Sequence, residues 1–169
     1  YLNKQKKSTA IPEKDILHIA IKSLGLDELN DFDINKKIIE NIVSKPYGTL
    51  VSETVHNFLD ITSTDSPAPG GGSVSALAGS LSAALNSMVV NLTINNKNYI
   101  DNNNKLENIG CQAQSIKDKL ISLIDLDTFS FDKVIEAFRL PKKTLKQEKI
   151  RYKAIQDATI YATEIPLKI

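Results

Sequence analysis

The sequence predicts a mainly α-helical protein, a helix bundle preceded by a shorter N-terminal segment. Three long segments, residues 73–93, 105–139 and 145–164, carry apolar residues at steps of three and four, which is the helical period. None of them alternates as a strand would, and polar or proline-containing breaks separate them. A chain of 169 residues is long enough for about one domain with a sizeable core.

The N-terminal segment contains one clear helix, in IPEKDILHIAIKSLGLDEL. Pro12 suits a first helical turn, and Gly25 is expected to end the helix at its C-terminus. His18 shares the solvated face with two lysines, so it is a poor candidate for catalysis or metal binding. A linker is predicted at residues 45–49, KPYGT, and a short amphipathic helix within residues 50–60.

The helix predicted over residues 73–93 has one face of large apolar residues and one face of small residues. We expect the large face to be buried and the small face to let another helix approach closely. Polar residues interrupt it too often for a membrane span, although it is long enough for one, and they include Ser73, Ser75, Ser80, Ser82, Asn86 and Ser87. The large face comprises Val74, Leu77, Ala78, Leu81, Leu85, Met88, Val89 and Leu92, and the small face Ala76, Gly79, Ser80, Ala83 and Ser87.

Charge and cysteine content exclude several classes of function. The formal net charge is +1 and the lysines are spread along the chain, so nucleic-acid binding is not expected. A lone Cys111 cannot form an internal disulfide, which favours a reducing, cytoplasmic location. The sequence has no cluster of cysteine, histidine and carboxylate residues at metal-ligand spacing, so we expect no metal.

One carboxylate interrupts the apolar stripe of the second long helix. That stripe runs through positions 116, 120, 123, 127, 131, 134 and 138, and position 127 is Asp127. Burying an unpaired carboxylate is costly, so such a residue is usually paired, hydrogen-bonded or functional. A catalytic role and a structural hydrogen bond both remain open. Asp125, two residues earlier, is expected to face solvent.

The run PGGGS precedes the first long helix directly. Gly70, Gly71, Gly72 and Ser73 would expose backbone N–H groups at the positive end of the helix dipole. A flexible linker is the alternative, but a helix follows at once and prolines precede. Neither GxxxxGK[ST] nor GxGxxG is present. We therefore predict a loop that lets a planar or anionic ligand approach the backbone.

Three motifs resemble the formiminotetrahydrofolate cyclodeaminase and methenyltetrahydrofolate cyclohydrolase family. They are SPAPGGGSVSALAGSLSAALNSMV, LIDLDTFSFDKVIEAFRLPK and AIQDATIYATEIPL. The resemblance implies a cyclodeaminase-like helical domain over residues 50–169, incomplete at its C-terminus. It also implies that Asp127 is catalytic and that residues 70–73 line the pterin side of a folate pocket or an oxyanion-like donor site. Arg139 and Lys142 would meet folate carboxylates, or else complement the dipole at the end of their helix.

Residues 1–44 resemble the C-terminal end of a glutamate formiminotransferase domain, which implies a short segment from the end of an α/β domain. Neither His18 nor His56 matches the catalytic motif of that family, so no transferase site is assigned.

Together the resemblances imply a bifunctional enzyme of histidine degradation and one-carbon metabolism. Its helical domain would close 5-formiminotetrahydrofolate to 5,10-methenyltetrahydrofolate and release ammonia. The substrate would be a folate, with or without a polyglutamate tail, and no cofactor beyond tetrahydrofolate is expected. The small-residue face of the first long helix suggests that bundles pair, and the resemblance implies a homodimer or higher homo-oligomer. No membrane or nucleic-acid partner is expected. A methenyltetrahydrofolate cyclohydrolase and a non-catalytic helical interaction module are the alternatives.

Overall fold

The computed structural model describes residues 8–28, 30–40, 50–94 and 96–169. Their regular structure is helical, with no strand among them, which confirms the predicted mainly α fold. The predicted linker at residues 45–49 lies outside the described residues. The α-helices are α1 (Glu13–Ser23), α2 (Ile34–Lys37), α3 (Val55–Thr62), α4 (Gly71–Thr93), α5 (Asn103–Arg139) and α6 (Leu145–Glu164), and Leu50–Ser52, Lys97–Asn102 and Pro166–Lys168 are 3₁₀ turns.

The helix ends follow from local sequence. Gly25 adopts φ 67°, and the Leu26 N–H donates to the Ile21 carbonyl at 3.1 Å, so the predicted glycine ending of α1 is confirmed. At the start of α6 the Thr144 side chain accepts from the Gln147 N–H at 3.3 Å. The Gln147 side chain in turn accepts from the Lys143 N–H at 2.9 Å. These two hydrogen bonds fix the start of α6 where the sequence predicts it.

Helix α4 packs its small face closely against another helix, as predicted, but leaves its large apolar face exposed. Its small residues are buried, whereas Leu85 is 58% exposed and Leu92 is 75% exposed. The reason is close packing, because a Cβ added to Gly79 would lie 2.9 Å from Cδ1 of Leu120 on α5. The expectation that the large apolar face is buried is therefore wrong. The buried positions on α4 are Ser73, Ala76, Ser80, Ala83, Ser87 and Val90.

By length and mean hydropathy, α4 is the one helix among the described residues that would also suit a membrane span. Three serines on its buried face, Ser73, Ser80 and Ser87, donate their hydroxyl hydrogens to backbone carbonyl groups. The buried face of α4 is thus polar in part and satisfied within the protein.

The chain forms two compact units, and α4 and α5 contribute to both. The first unit comprises Tyr1–Pro46 and Leu81–Asp118, and the second Tyr47–Ser80 and Lys119–Ile169. Division of the sequence into a transferase-like segment and a cyclodeaminase-like domain stays a prediction. In the second unit the buried core consists of Leu50, Phe58, Ala76, Leu120, Leu123, Ile124 and Ile165. Buried residues of the first unit include Ala10, Ile11, Ile19, Ile21, Ala83, Val90, Ile94 and Ala113.

Candidate functional site

Within the second unit, Asp127 of α5 lies half-buried against the first turn of α4. Its Oδ2 accepts a hydrogen bond from the backbone N–H of Ser73 at 2.9 Å. The Ser73 hydroxyl lies 3.2 Å from the same oxygen. The structure therefore brings Asp127 together with the glycine run, although the two are more than fifty residues apart in the sequence.

Only one of the three glycines is required by a close contact. A Cβ on Gly72 would lie 2.1 Å from Oδ1 and 2.4 Å from Cγ of Asp127, which no real side chain tolerates. A Cβ on Gly71 would meet nothing within 4 Å, and one on Gly70 would meet only the Pro67 carbonyl at 3.8 Å. Gly72 therefore makes room for the carboxylate.

The glycine run is not a loop in front of the helix. Gly71, Gly72 and Ser73 form the first turn of α4, and the Gly70 carbonyl accepts from the Val74 N–H at 3.1 Å. The prediction of a separate loop is corrected accordingly. N–H groups of a first helical turn have no partner inside their own helix. Asp127 supplies one from another helix.

Ser73 holds the Asp127 carboxylate in place and is itself held by other residues of α5. It is fully buried, and its hydroxyl donates to the Ile124 carbonyl at 2.8 Å and lies 3.2 Å from the Thr128 hydroxyl. Sequence reasoning missed Thr128, whose only signal is its place directly after Asp127. The Asp127 side chain is thus positioned by a rigid backbone and a buried serine rather than by a flexible partner.

The remaining oxygen of Asp127 gives the site its chemical capability. Among the described residues no hydrogen bond reaches Oδ1, whereas Oδ2 is held by Ser73. Negative charge is stabilised at the N-terminus of a helix by the aligned peptide dipoles. A carboxylate oriented through one oxygen, with the other available, can accept a proton from a bound molecule and return it.

Asp125 was expected to face solvent, but it is buried and has a structural role. It is 8% exposed, and its carboxylate accepts from the N–H groups of Leu50 at 2.9 Å and Val51 at 3.4 Å. Residues two apart on a helix point about 200° apart, so Asp125 faces away from Asp127. It holds the 3₁₀ turn Leu50–Ser52 in place.

Arg139 and Lys142 are not brought together with Asp127. Both side chains are exposed. Twelve residues separate Asp127 from Arg139 on α5, which at 1.5 Å per residue is about 18 Å along the helix. The second arginine, Arg151, donates to the Phe138 carbonyl at 3.2 Å and so binds the end of α5.

A groove of about 470 Å³ between α5 and α6 is a separate feature. Its lining residues on α5 include Phe129, Lys133 and Glu136. At 100° per residue these positions point about 180° to 240° away from Asp127, so the groove is not part of the Asp127 site. Within the described residues no group of three or more His, Cys, Asp or Glu side chains is arranged to hold a metal ion.

Comparison with known families gives two matches along the chain. Residues 54–169 match the family model described as formiminotransferase-cyclodeaminase, and residues 1–44 match the formiminotransferase domain.

Individual relatives agree with these matches. The chain is 32% identical over 167 residues to a formimidoyltransferase-cyclodeaminase of Mus musculus, covering 98% of this chain and 31% of that protein. The corresponding protein of Gallus gallus is 31% identical over 165 residues, covering 96% and 30%. A methenyltetrahydrofolate cyclohydrolase of Methylorubrum extorquens is 38% identical over 116 residues, covering 69% and 56%. The chain thus spans about a third of the length of the first two and just over half of the third.

Proposed function

Because the chain belongs to the formiminotransferase-cyclodeaminase family, we propose that its Asp127 site closes 5-formiminotetrahydrofolate to 5,10-methenyltetrahydrofolate with release of ammonia. One observation carries the proposal: the half-buried Asp127 carboxylate is held by Ser73 at the start of α4, with Gly72 leaving room for it. The site lies in the part of the chain that matches the cyclodeaminase family model.

The reaction requires a proton to move between two nitrogens of the substrate. N10 attacks the formimino carbon and forms an N10–C bond, and the proton of N10 must leave. Asp127 accepts that proton through its available oxygen. It then returns a proton to the formimino nitrogen, whose bond to carbon breaks as ammonia departs. General acid–base catalysis by one positioned group contributes roughly 10²- to 10⁴-fold to such a step.

Gly70 and Gly71 have no contact that demands glycine, and we propose that their backbone faces the pterin side of the bound folate. Arg139 and Lys142 would meet the carboxylates of the folate tail, which extends away from the reacting nitrogens. Their distance from Asp127 fits a role at the far end of an elongated substrate and excludes them from proton transfer.

A methenyltetrahydrofolate cyclohydrolase is the second candidate, favoured by the 38% identity to the protein of that name. Both reactions make or break bonds at the carbon that bridges N5 and N10, so one carboxylate serves either. An assay of the full-length protein with the formimino compound distinguishes the two reactions. We expect ammonia and methenyltetrahydrofolate, followed by its absorbance, to appear at equal rates from the formimino compound.

Hydrolysis of methenyltetrahydrofolate without ammonia release from the formimino compound would instead identify a cyclohydrolase. No reaction with either compound, together with no folate binding, would identify a helical interaction module.

We also propose that the protein forms a homo-oligomer in the cytoplasm, through the exposed apolar face of α4. Large contiguous apolar patches on a soluble protein mark interaction surfaces. Leu81, Leu85, Met88, Val89 and Leu92 are each at least half exposed along one helix.

Light scattering of the full-length protein should give the mass of a dimer or a larger oligomer. Leu85→Lys combined with Val89→Lys should reduce that mass, because two charges would be placed in the apolar contact. Val55→Lys on α3, which replaces another exposed apolar residue, serves as the matched control. A monomer at micromolar concentration in the unmodified protein would contradict the proposal.

A further inference from the structure

A stretch in front of α1 that bends at Thr9 and Ile11 is largely buried in the first unit. Within residues 8–11, Ala10 is fully buried and Ser8 and Ile11 nearly so. They contact the parts of α4 and α5 that belong to the same unit. The stretch matches the formiminotransferase domain, whereas the two helices match the cyclodeaminase family model. The contact therefore joins segments of two different families.

The Ala10 carbonyl is recognised by two side chains of α4. Asn91 donates to it from Nδ2 at 2.6 Å, and Ser87, one helical turn earlier, donates from its hydroxyl at 3.0 Å. Gln114 on α5 donates to the Ser87 oxygen at 2.8 Å. A hydroxyl has one hydrogen, so the bond from Gln114 leaves Ser87 free to donate its own to Ala10.

The Ala10 side chain is packed closely against Gly110 of α5. A Cβ on Gly110 of α5 would lie 2.4 Å from Cβ of Ala10 and 2.9 Å from Cγ1 of Val90. Gly110 therefore admits the main chain of residues 8–11 close to the helix, and only a small residue fits at position 10.

The side-chain amide of Asn91 uses its nitrogen, and not its oxygen, to bind the Ala10 carbonyl. Its Oδ1 is buried without a hydrogen-bond partner among the described residues. A buried acceptor without a partner costs free energy. Reversing the amide would place its oxygen against the Ala10 carbonyl and lose the donor. The orientation of Asn91 is thus set by donation from Nδ2 to the carbonyls of Ala10 at 2.6 Å and of Ser87 at 2.9 Å.

We propose that Ser87, Asn91, Gly110 and Gln114 form a docking site, here called the Ala10 site, for a non-helical segment with a small residue at its centre. Its occupant is residues 8–11 of this chain, which belong to the transferase-like region (residues 1–44). The Ala10 site attaches that region to the helical domain, so the two do not move independently of each other. This inference is independent of the reaction at Asp127.

The test is hydrogen–deuterium exchange of the amides of residues 9–11 in the full-length protein. We expect exchange at least about tenfold slower than in an unstructured peptide of the same sequence. Asn91→Asp, nearly isosteric, puts an oxygen in place of the donor and should accelerate exchange at least about tenfold. Asn86→Asp makes the same chemical change at an exposed position of α4 and should not alter it.

Gly110→Ala should also accelerate exchange of residues 9–11, because its methyl group would clash with Ala10 and, less severely, with Val90. Adding Ala10→Gly to Gly110→Ala removes the clash with Ala10 but leaves the one with Val90, so exchange should slow only part of the way back toward the original rate. An ordinary loss of stability would make the double variant worse, because a second glycine adds flexibility.

Exchange in α6, which lies in the other unit, separates local release from unfolding. If Gly110→Ala accelerates exchange in α6 as well, that variant has lost stability as a whole. Exchange of residues 9–11 in Asn91→Asp then shows whether the Ala10 site is needed to hold them. Peptide-like exchange of residues 9–11 in the unmodified protein, or no acceleration by Asn91→Asp, would overturn the proposal. Faster exchange in the double variant than in Gly110→Ala would also overturn it.

Discussion

Asp127→Asn is expected to lower single-turnover formation of methenyltetrahydrofolate in the full-length protein by at least about 100-fold. The amide oxygen of asparagine can still accept the hydrogen bond from the Ser73 N–H, so the helices and folate binding should be retained. What asparagine cannot do is accept a proton from N10 and return it. The loss should therefore appear in the rate of the chemical step and not in the affinity for folate.

Asp125→Asn is the matched control for this experiment. It makes the same change two residues away, on a carboxylate that binds backbone N–H groups of the turn Leu50–Ser52. The NH₂ group of asparagine would face a backbone N–H donor, so the free energy of unfolding should fall. The turnover of the folded protein should be unchanged. Equal turnover by the unmodified protein and Asp127→Asn would refute the catalytic assignment. A loss of turnover that only parallels a loss of folate binding or of helix content would make Asp127 structural.

Gly72→Ala is expected to destabilise the chain and displace Asp127 at the same time. The added methyl group would lie 2.1 Å from Oδ1, so either the carboxylate or the start of α4 must move. Overpacking of this kind typically costs about 1–3 kcal/mol. Because small displacements of a catalytic group are costly, the turnover should also drop by at least about tenfold.

Gly71→Ala provides the comparison, since its added methyl group would meet nothing within 4 Å. Alanine at an unstrained helical position restricts the unfolded chain and stabilises the fold by about 0.4–1 kcal/mol. Thermal unfolding of the two variants should therefore shift in opposite directions. Similar shifts in both variants would show that Gly72 has no special contact with Asp127.

Helix positions could be read from the sequence because their determinants are local. Apolar spacing and the intervening breaks place α4, α5 and α6 within two residues of their observed bounds. Gly25 and Thr144 mark helix ends through contacts that reach no further than five residues. The oddity of a carboxylate in an apolar stripe was likewise visible at Asp127, and it predicted a partner.

Which face of each helix is buried was decided only by tertiary packing. Periodicity shows that α4 has a large face and a small face, but close approach of α5 at Gly79 selects the small one. Asp125 is buried because the N–H groups of Leu50 and Val51 reach it from 75 and 74 residues away. Such long-range hydrogen bonds leave no periodic trace in the sequence. The sequence thus determined where the helices lie and which residues are unusual, whereas packing and distant backbone donors determined what those residues contact.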